Sequence, residues 1–520
     1  SFPPPAPSGA LPRMRRTVSA TLALVLAFTP AVAPVARAQY ATPAASARAS
    51  APAASTLPDL GDSAQVALSP AQERKIGETA LKQLRAAGAY LNDPEVNDYL
   101  NELGQRLVAA RNDARADFHF FGVPDPSINA FAMPGGFIGV NTGLILLTQT
   151  ESELASVLAH EITHVTQNHM ARMLENQKNS LWMSLAALAV AILAARAGSS
   201  SSSDMVPAAI ASAQALQIQN QLNFTRENEY EADRIGFQRL DLAGFDTGGA
   251  AALMERLQKA SRFADGSVPT YLRTHPITYE RIAEAQARAQ SKTYRQVADS
   301  LDFQMVRALL RSYVGRSDEA VAWFDNGLAE RKYNSEVAAR YGLVASLLRD
   351  KQFVRAKKEL AALETIAPPH PMIEAIAAHV LMDSGEAAAA VTRLEAALPR
   401  YPNKLQLVYD YPEALLKAGR PAQASAFAEA QLQRFPQNGP LHEIAAKAYA
   451  AQGRSLKQHH HLGEYYAWMG NLRLAIDQLE LAIKAGDANF YESSVVETRL
   501  RALRLEQAEQ QKEGFGRSTG

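Results

Sequence analysis

The sequence predicts an α+β domain, mostly helical with a small sheet, followed by an α-helical solenoid. Three observations carry that reading. Apolar residues recur at helical spacing between Pro70 and Phe237, broken by short alternating stretches; one helix there bears histidines a turn apart, at His160 and His164; and three residue series repeat every 34 positions between Ala356 and Gly453. A chain of 520 residues is too long for one compact domain at about 150 residues each. Lys+Arg and Asp+Glu both number 53, so no global basic excess favours a nucleic acid as partner. The cysteine count is 0, which removes disulfides, thiol nucleophiles and Cys-based metal sites and leaves His and carboxylates as candidate ligands.

At the N-terminus, Arg13, Arg15 and Arg16 precede an apolar run from Val18 to Val35, and Ala36-Arg37-Ala38 follows. This order reads as a secretory signal over residues 1–38, cleaved after Ala38, with 1–13 a candidate upstream artefact because Met14 is the more natural start. Pro30 and Pro34 interrupt the run and argue against the alternative, a retained membrane anchor. Residues 39–64, rich in Ala, Ser and Pro, read as a disordered linker. An exported chain without cysteine fits a periplasm, where disulfides are permitted but not required.

A mixed domain is expected over 65–295. Ile76, Ala80, Leu81 and Leu84 mark one helix, and Val96, Leu100, Leu103 and Leu107 a second. Asp117 to Val123 alternates and is rich in aromatics, predicting a strand, and Asn129-Ala-Phe-Ala and Phe137-Ile-Gly-Val predict two more about Pro134-Gly135-Gly136. Thr150 is placed to cap a long helix, with Glu153 completing a capping box.

That helix carries His160-Glu161-Ile162-Thr163-His164. Histidines at i and i+4 share a face, so both imidazoles can reach one metal ion, and the intervening Glu161 is placed to accept a proton from an attacking water. A catalytic zinc needs a third protein ligand and an open position. Glu227-Asn228-Glu229-Tyr230-Glu231-Ala232-Asp233 puts Glu229 and Asp233 on one helix face, where one can bind metal and the other can accept the spare N–H of a ligand histidine. The bland alternative is a pair of solvated acids facing Arg226 and Arg234. His169, nine residues beyond His160, is expected to point away from the ligand pair and to be structural.

Taken together, His160-Glu161-Ile162-Thr163-His164, Asn129-Ala-Phe-Ala-Met-Pro-Gly-Gly, Glu229-Tyr-Glu-Ala-Asp233 and Thr274-His275-Pro276 resemble the gluzincin metallopeptidases that include HtpX and the CAAX prenyl proteases. Within them the chain looks like members that join such a zincin-like domain to helical repeats, and the resemblance spans roughly 65–500. The resemblance implies one zinc ion per chain held by His160, His164 and Glu229, with Glu161 as general base and Asp233 orienting a ligand histidine. It places His275 and Arg281 near the metal, where they could stabilise the tetrahedral oxyanion; His275 could instead fill the open position and keep the enzyme latent. Asn129, Ala130, Phe131 and Ala132 would form the edge strand that pairs with an extended substrate.

Leu181 to Ala195 is nearly all apolar, yet at 1.5 Å per residue it spans about 22 Å, short of a hydrocarbon core of about 30 Å. We read it as a short hydrophobic helix that could touch a membrane surface, with the serine-rich 196–207 stretch a candidate lid. The several membrane spans of HtpX and the prenyl proteases are not expected here.

Over 300–500, Pro368, Pro402 and Pro436 are spaced by 34, as are Ala356, Ala390 and Ala424, and Gly385, Gly419 and Gly453. That period, with a small residue early in the second helix and Pro at its end, is the tetratricopeptide signature. Leu360 and Leu394 occupy matching positions, and 303–333 reads as a degenerate first unit. Such units stack into a curved solenoid with a concave binding face. His459-His460-His461 is not ligand spacing and reads as a polar face or groove lining. Residues 501–520 are expected to form a C-terminal tail.

The functional expectation is a periplasmic zinc endopeptidase, with possible chaperone activity, in quality control of outer-membrane β-barrel proteins. By resemblance its substrates are unfolded or stalled barrel proteins, and its repeat groove docks on the β-barrel assembly machinery at the outer membrane. The alternative is a repeat scaffold or chaperone with a latent or vestigial metal site.

Overall fold

A computed structural model describes residues 69–113, 117–175, 226–263, 269–293, 295–487 and 489–515. The signal segment, the linker, the Leu181–Ala195 stretch and the 196–207 stretch lie outside the described residues. Among those described, no helix is long and apolar enough to cross a membrane. The architecture is that of the sequence expectation: a helical domain around a small sheet, followed by stacked helix pairs.

The first helices are α1 (Pro70–Ala86) and α2 (Pro94–Ala109), capped by Ser69 and Asp93 with Pro at the first turn of each. The sheet comprises β1 (His119–Val123), β2 (Ala130–Met133) and β3 (Phe137–Asn141), in the order β1-β3-β2. Strand β3 is buried throughout, pairing parallel with β1 (Phe120 opposite Ile138) and antiparallel with β2 (Ala132 opposite Ile138). The β2–β3 turn needs two consecutive left-handed residues, Gly135 and Gly136 (φ 76° and 85°), which only glycine adopts readily. Strand β2 is therefore an edge of the sheet, and Asn129 lies just before it.

After α3 (Thr142–Leu147) comes α4 (Glu151–Thr166), the helix of the paired histidines, buried from Glu151 to His164 except at Ser156. Thr150 caps it as expected, its hydroxyl accepting from Glu153 N at 3.2 Å. The reciprocal half of the capping box does not form. Glu153 instead accepts from Gln149 N, one residue further out, at 2.7 Å, and pairs with Arg256 at 2.9 Å. The domain continues with α5 (His169–Glu175), α6 (Arg226–Leu242), α7 (Gly248–Phe263), α8 (Thr270–Thr274) and α9 (Tyr279–Gln290).

The solenoid pairs α10 (Leu301–Ser312) with α11 (Ser317–Ala329), α12 (Glu336–Arg349) with α13 (Phe353–Ile366), α14 (Pro371–Asp383) with α15 (Ala387–Ala397) and α16 (Leu405–Lys417) with α17 (Pro421–Arg434). It continues through α18 (Gly439–Ala451), α19 (Ser455–Trp468) and α20 (Leu472–Lys484) to α21 (Phe490–Phe515). Each period-34 series has a physical counterpart. Ala356, Ala390 and Ala424 are fully buried where the second helix of a pair meets the first, and Gly385, Gly419 and Gly453 hold positive φ just past a helix end. Lys351 occupies the matching place one unit earlier, at φ 60°, so the series continues in backbone conformation where it stops in residue type. The histidine run is packed between helices: His461 is buried, with Nδ1 2.9 Å from His442 Nδ1.

The repeats share their core with the α+β domain. One apolar cluster runs from Val96, Tyr99 and Leu158 through Phe303, Val306 and Val344 to Val380. Glu151, at the start of α4, accepts from Tyr99 Oη (3.1 Å) and Ser300 Oγ (2.7 Å), while its own N–H donates to Asp299 (2.7 Å). At the far end of the solenoid, Arg85 of α1 lies over Trp468, its guanidinium carbon 4.1 Å from the ring centre, and Lys82 pairs with Glu506 at 3.0 Å.

Between α2 and the repeats lies a nest of acids. Tyr313 donates to Asp93 (2.8 Å), Tyr341 to Glu95 (2.7 Å) and Leu405 N to Asp98 (3.1 Å), while His379 pairs with Asp410 at 2.7 Å. Burial, reinforced by the charge on Asp93, pushes the Glu95 carboxyl up to about 8. Burial alone would lower His379, but Asp410 carries it up to about 9. The two shifts act in the same direction. Folded Glu95 keeps a proton that the unfolded chain loses near its ordinary 4.5, so stability falls as pH rises from there to about 8; the His379 contribution, complete below 6.5, is lost on rising to about 9. The unfolding free energy, and with it the urea midpoint, is expected to drop between pH 6 and 8.5, by at most about 1.4 kcal/mol per pH unit for each of the two groups, and Glu95→Gln should flatten the slope. A midpoint that rises over this range contradicts the assignment.

Candidate metal centre

Three separate segments meet at the histidine pair of α4. Helix α6 crosses α4 closely because Gly236 faces it: a Cβ there would lie 3.3 Å from the Ala159 carbonyl and His160 N. Glu229 and Asp233, two turns and one turn before Gly236 on the same side of α6, are thereby delivered to His160. The third segment follows α8, where His275 N donates to Tyr271 O at 2.8 Å and the two rings lie 4.7 Å apart.

The resulting cluster is His160, His164, Glu229 and His275, all buried, each offering one ligand atom within 4.8 Å of the others. His164 Nε2 is 3.0 Å from His160 Nε2 and 3.4 Å from Glu229 Oε1. His160 Nε2 is 3.5 Å from Glu229 Oε2 and 3.3 Å from His275 Nδ1, which is itself 3.0 Å from Glu229 Oε1. Ligand atoms 2.0–2.1 Å from one tetrahedral ion stand about 3.3–3.4 Å apart, so these separations suit a zinc-sized cation. The donor chemistry agrees: imidazole nitrogens and a carboxylate converge with no lysine among them. Glu161 Oε1 is buried without a well-aligned hydrogen bond, which a water beside a bound cation would relieve.

Glu161 stands outside the donor set, its Oε1 3.4 Å from His275 Nε2. Behind the ligands, Asp233 Oδ1 lies 3.1 Å from His160 Nδ1. Burial alone would raise the Asp233 carboxyl, but hydrogen bonds with His160 and Arg281 hold it below its ordinary value. Desolvation likewise opposes charge on His160, yet Asp233 and Glu229 push it up to about 10. Burial drives His164 the other way, below the usual histidine range.

Two expectations are corrected. Arg281 was placed to face an oxyanion. Its guanidinium is instead engaged by Asp233 (2.6 and 2.8 Å), the Pro276 carbonyl (2.7 Å) and Glu229 (2.8 Å), as a buried clamp behind the ligands. His169 was expected to point away. Helical rotation predicts that only if the helix continues, and α4 ends at Thr166. Asn168 takes a left-handed conformation (φ 51°), the chain turns, and His169 folds back to put Nδ1 2.8 Å from His164 Nδ1. Its Nε2 is 3.1 Å from Glu231, which also accepts from Arg172 at 2.8 Å. Burial holds the His169 imidazole down, to about 4. An Asn four residues past His164, in a helix-ending position, is the available signal.

Ala130, Phe131 and Ala132 lie on the edge strand β2, beside α4, with a small cleft lined by Ala132, Met133, Gly135, His164 and Val165 between them. Asn129, just ahead of the strand, is buried. An extended chain laid along β2 would pass next to the cluster.

Comparison with known proteins adds the family. Residues 94–289 match Peptidase family M48. The beta-barrel assembly-enhancing protease of Escherichia coli (strain K12) is 32% identical over 87% of this chain and 92% of its own length, and that of Yersinia pestis 31% over the same shares. A similarly described protein of Vibrio cholerae is 39% identical over 62% of this chain and 66% of its own. More distantly, the mitochondrial metalloendopeptidase OMA1 of Arabidopsis thaliana is 32% identical over 34% of this chain and 33% of that protein.

Proposed function

This chain belongs to peptidase family M48, among its beta-barrel assembly-enhancing proteases, and from that premise we propose that it is a zinc-dependent endopeptidase of the periplasm that clears unfolded or stalled outer-membrane β-barrel proteins. The observation that carries the reading is the convergence of His160, His164 and Glu229 from two helices, with Glu161 beside them and outside the donor set. These three residues would hold one zinc ion, which when bound supplies Lewis acidity that acidifies water toward a pKa of about 7 and polarises the scissile carbonyl.

The chain's own groups do the rest. Strand β2 would take an extended substrate by backbone pairing, which tolerates varied sequence and suits an unfolded polypeptide. Glu161 would accept the proton of the attacking water and return it to the leaving amine. Asp233, fixed by Arg281, would hold the Nδ1–H of His160 so that its Nε2 lone pair faces the ion. The solenoid would bring substrates or the assembly machinery to this site through its concave face.

A latent resting state is the second reading, favoured by the place of His275 Nδ1 among the donors. Four protein donors leave no open position, whereas catalytic zinc sites keep one. A repeat scaffold or chaperone role can coexist with either state.

The substrate assignment is tested by offering zinc-loaded protein an unfolded barrel precursor, the same barrel folded in detergent, and a folded soluble protein. Cleavage of the first at least tenfold faster than of the others is expected. Equal rates on all three would sink the preference for unfolded barrels, and no cleavage of any in the wild type and in His275→Ala alike would sink the peptidase reading.

A further inference from the structure

The two ligand histidines are supported differently. Each presents Nε2 to the cluster, and each therefore has its Nδ1 turned to the protein behind it. For His160 that partner is a carboxylate, Asp233, clamped by Arg281. For His164 it is a second imidazole, His169, whose far nitrogen reaches the carboxylate of Glu231, itself held by Arg172. We propose that His169 and Glu231 are positioning residues that fix the tautomer and ring orientation of His164 through an imidazole relay. The proposal rests on the reading of His160, His164 and Glu229 as metal ligands.

The proton order follows from the chemistry of the groups. A neutral imidazole carries one N–H, and a ligand nitrogen must present its lone pair, so His164 with Nε2 toward the cluster bears its hydrogen on Nδ1. Two nitrogens 2.8 Å apart cannot both be donors, so His169 Nδ1 is the acceptor. His169 then carries its own hydrogen on Nε2, 3.1 Å from Glu231 Oε2, an ionised carboxylate that only accepts. Reversing any link would set donor against donor or leave Glu231 facing a lone pair. Glu231 thus orders the whole line, although Glu229, not Glu231, is the ligand. The acids Glu229, Glu231 and Asp233 on α6 divide the work, one binding and each of the others supporting a different histidine. The fold-back at Asn168 brings the relay into reach, and the salt bridge to Arg172 (2.8 Å) fixes its outer end.

The experiment measures zinc affinity of the full chain by chelator competition, with the melting temperature of the metal-free protein alongside. His169→Ala is expected to weaken zinc binding about 10–100-fold, the usual effect of losing such a partner, and Glu231→Gln about tenfold. His169→Asn should recover most of the affinity, since its amide can accept from His164 and donate toward Glu231, whereas a packing role would leave it no better than alanine. Zinc affinity within twofold of wild type in both His169→Ala and Glu231→Gln overturns the relay, as does an asparagine variant as weak as the alanine one. If His169→Ala does not fold, Glu231→Gln decides alone, because Glu231 is partly exposed (27%) and tolerates the change. Wild-type protein that binds no zinc overturns the metal-centre reading itself, an outcome distinct from failure of the relay.

Discussion

Glu161→Gln is expected to retain about one zinc ion per chain while losing about 10²–10⁴-fold in kcat/KM on an unfolded precursor. The two halves of that result have separate structural causes. Metal content should persist because the candidate donors are His160, His164, Glu229 and His275, and Glu161 is not among them. Activity falls because glutamine cannot take up a proton, while its size and shape leave the buried niche filled and the 3.4 Å approach to His275 available. Chemical quench of substrate turnover, with metal counted by atomic emission, reads both at once. Turnover at the wild-type rate would remove Glu161 from the mechanism, and loss of metal together with activity would make it a structural residue.

His275→Ala is expected to have the opposite sign. In the structure His275 Nδ1 is 3.0 Å from Glu229 Oε1 and its Nε2 is 3.4 Å from Glu161, so one ring fills a donor position and crowds the base. Removing it leaves three protein donors and an open place, the arrangement of a working zinc hydrolase. Basal cleavage should rise roughly tenfold, equivalent to about 1.4 kcal/mol of barrier, with a modest loss of zinc affinity. A fall of about 10²-fold with zinc retained would assign the ring to oxyanion stabilisation instead. Assays at the same free zinc concentration separate these outcomes from simple metal loss.

The sequence carried the fold class, the paired histidines and the repeat period because each is a local or strictly periodic pattern. Helix α4 follows from one cap and one motif, and the glycines of the repeats follow from the need for positive φ past a helix end. Less legible was anything set by a turn in the chain or a change of partner. His169 lay on the wrong side of a helix extrapolated past Thr166, and Arg281 had more acceptors within reach than its spacing could reveal. Neither could residue patterns show that β1 pairs parallel to β3, or that Phe303 and Val306 belong to the same core as Val96 and Tyr99. Those facts depend on which surfaces meet, and a single sequence records surfaces only as apolar or polar.

The continuous core from Val96 to Val380 bears on how such an enzyme is kept in check. Had the repeats been a tethered accessory, a nick in the connection near Asp299 would release an unguided hydrolase among folded neighbours. Here the repeats supply part of the apolar surroundings of Tyr99, and Ser300 steadies Glu151 at the head of α4. The helix that carries the histidine pair is therefore anchored on the repeats, and loss of the repeats is expected to loosen it.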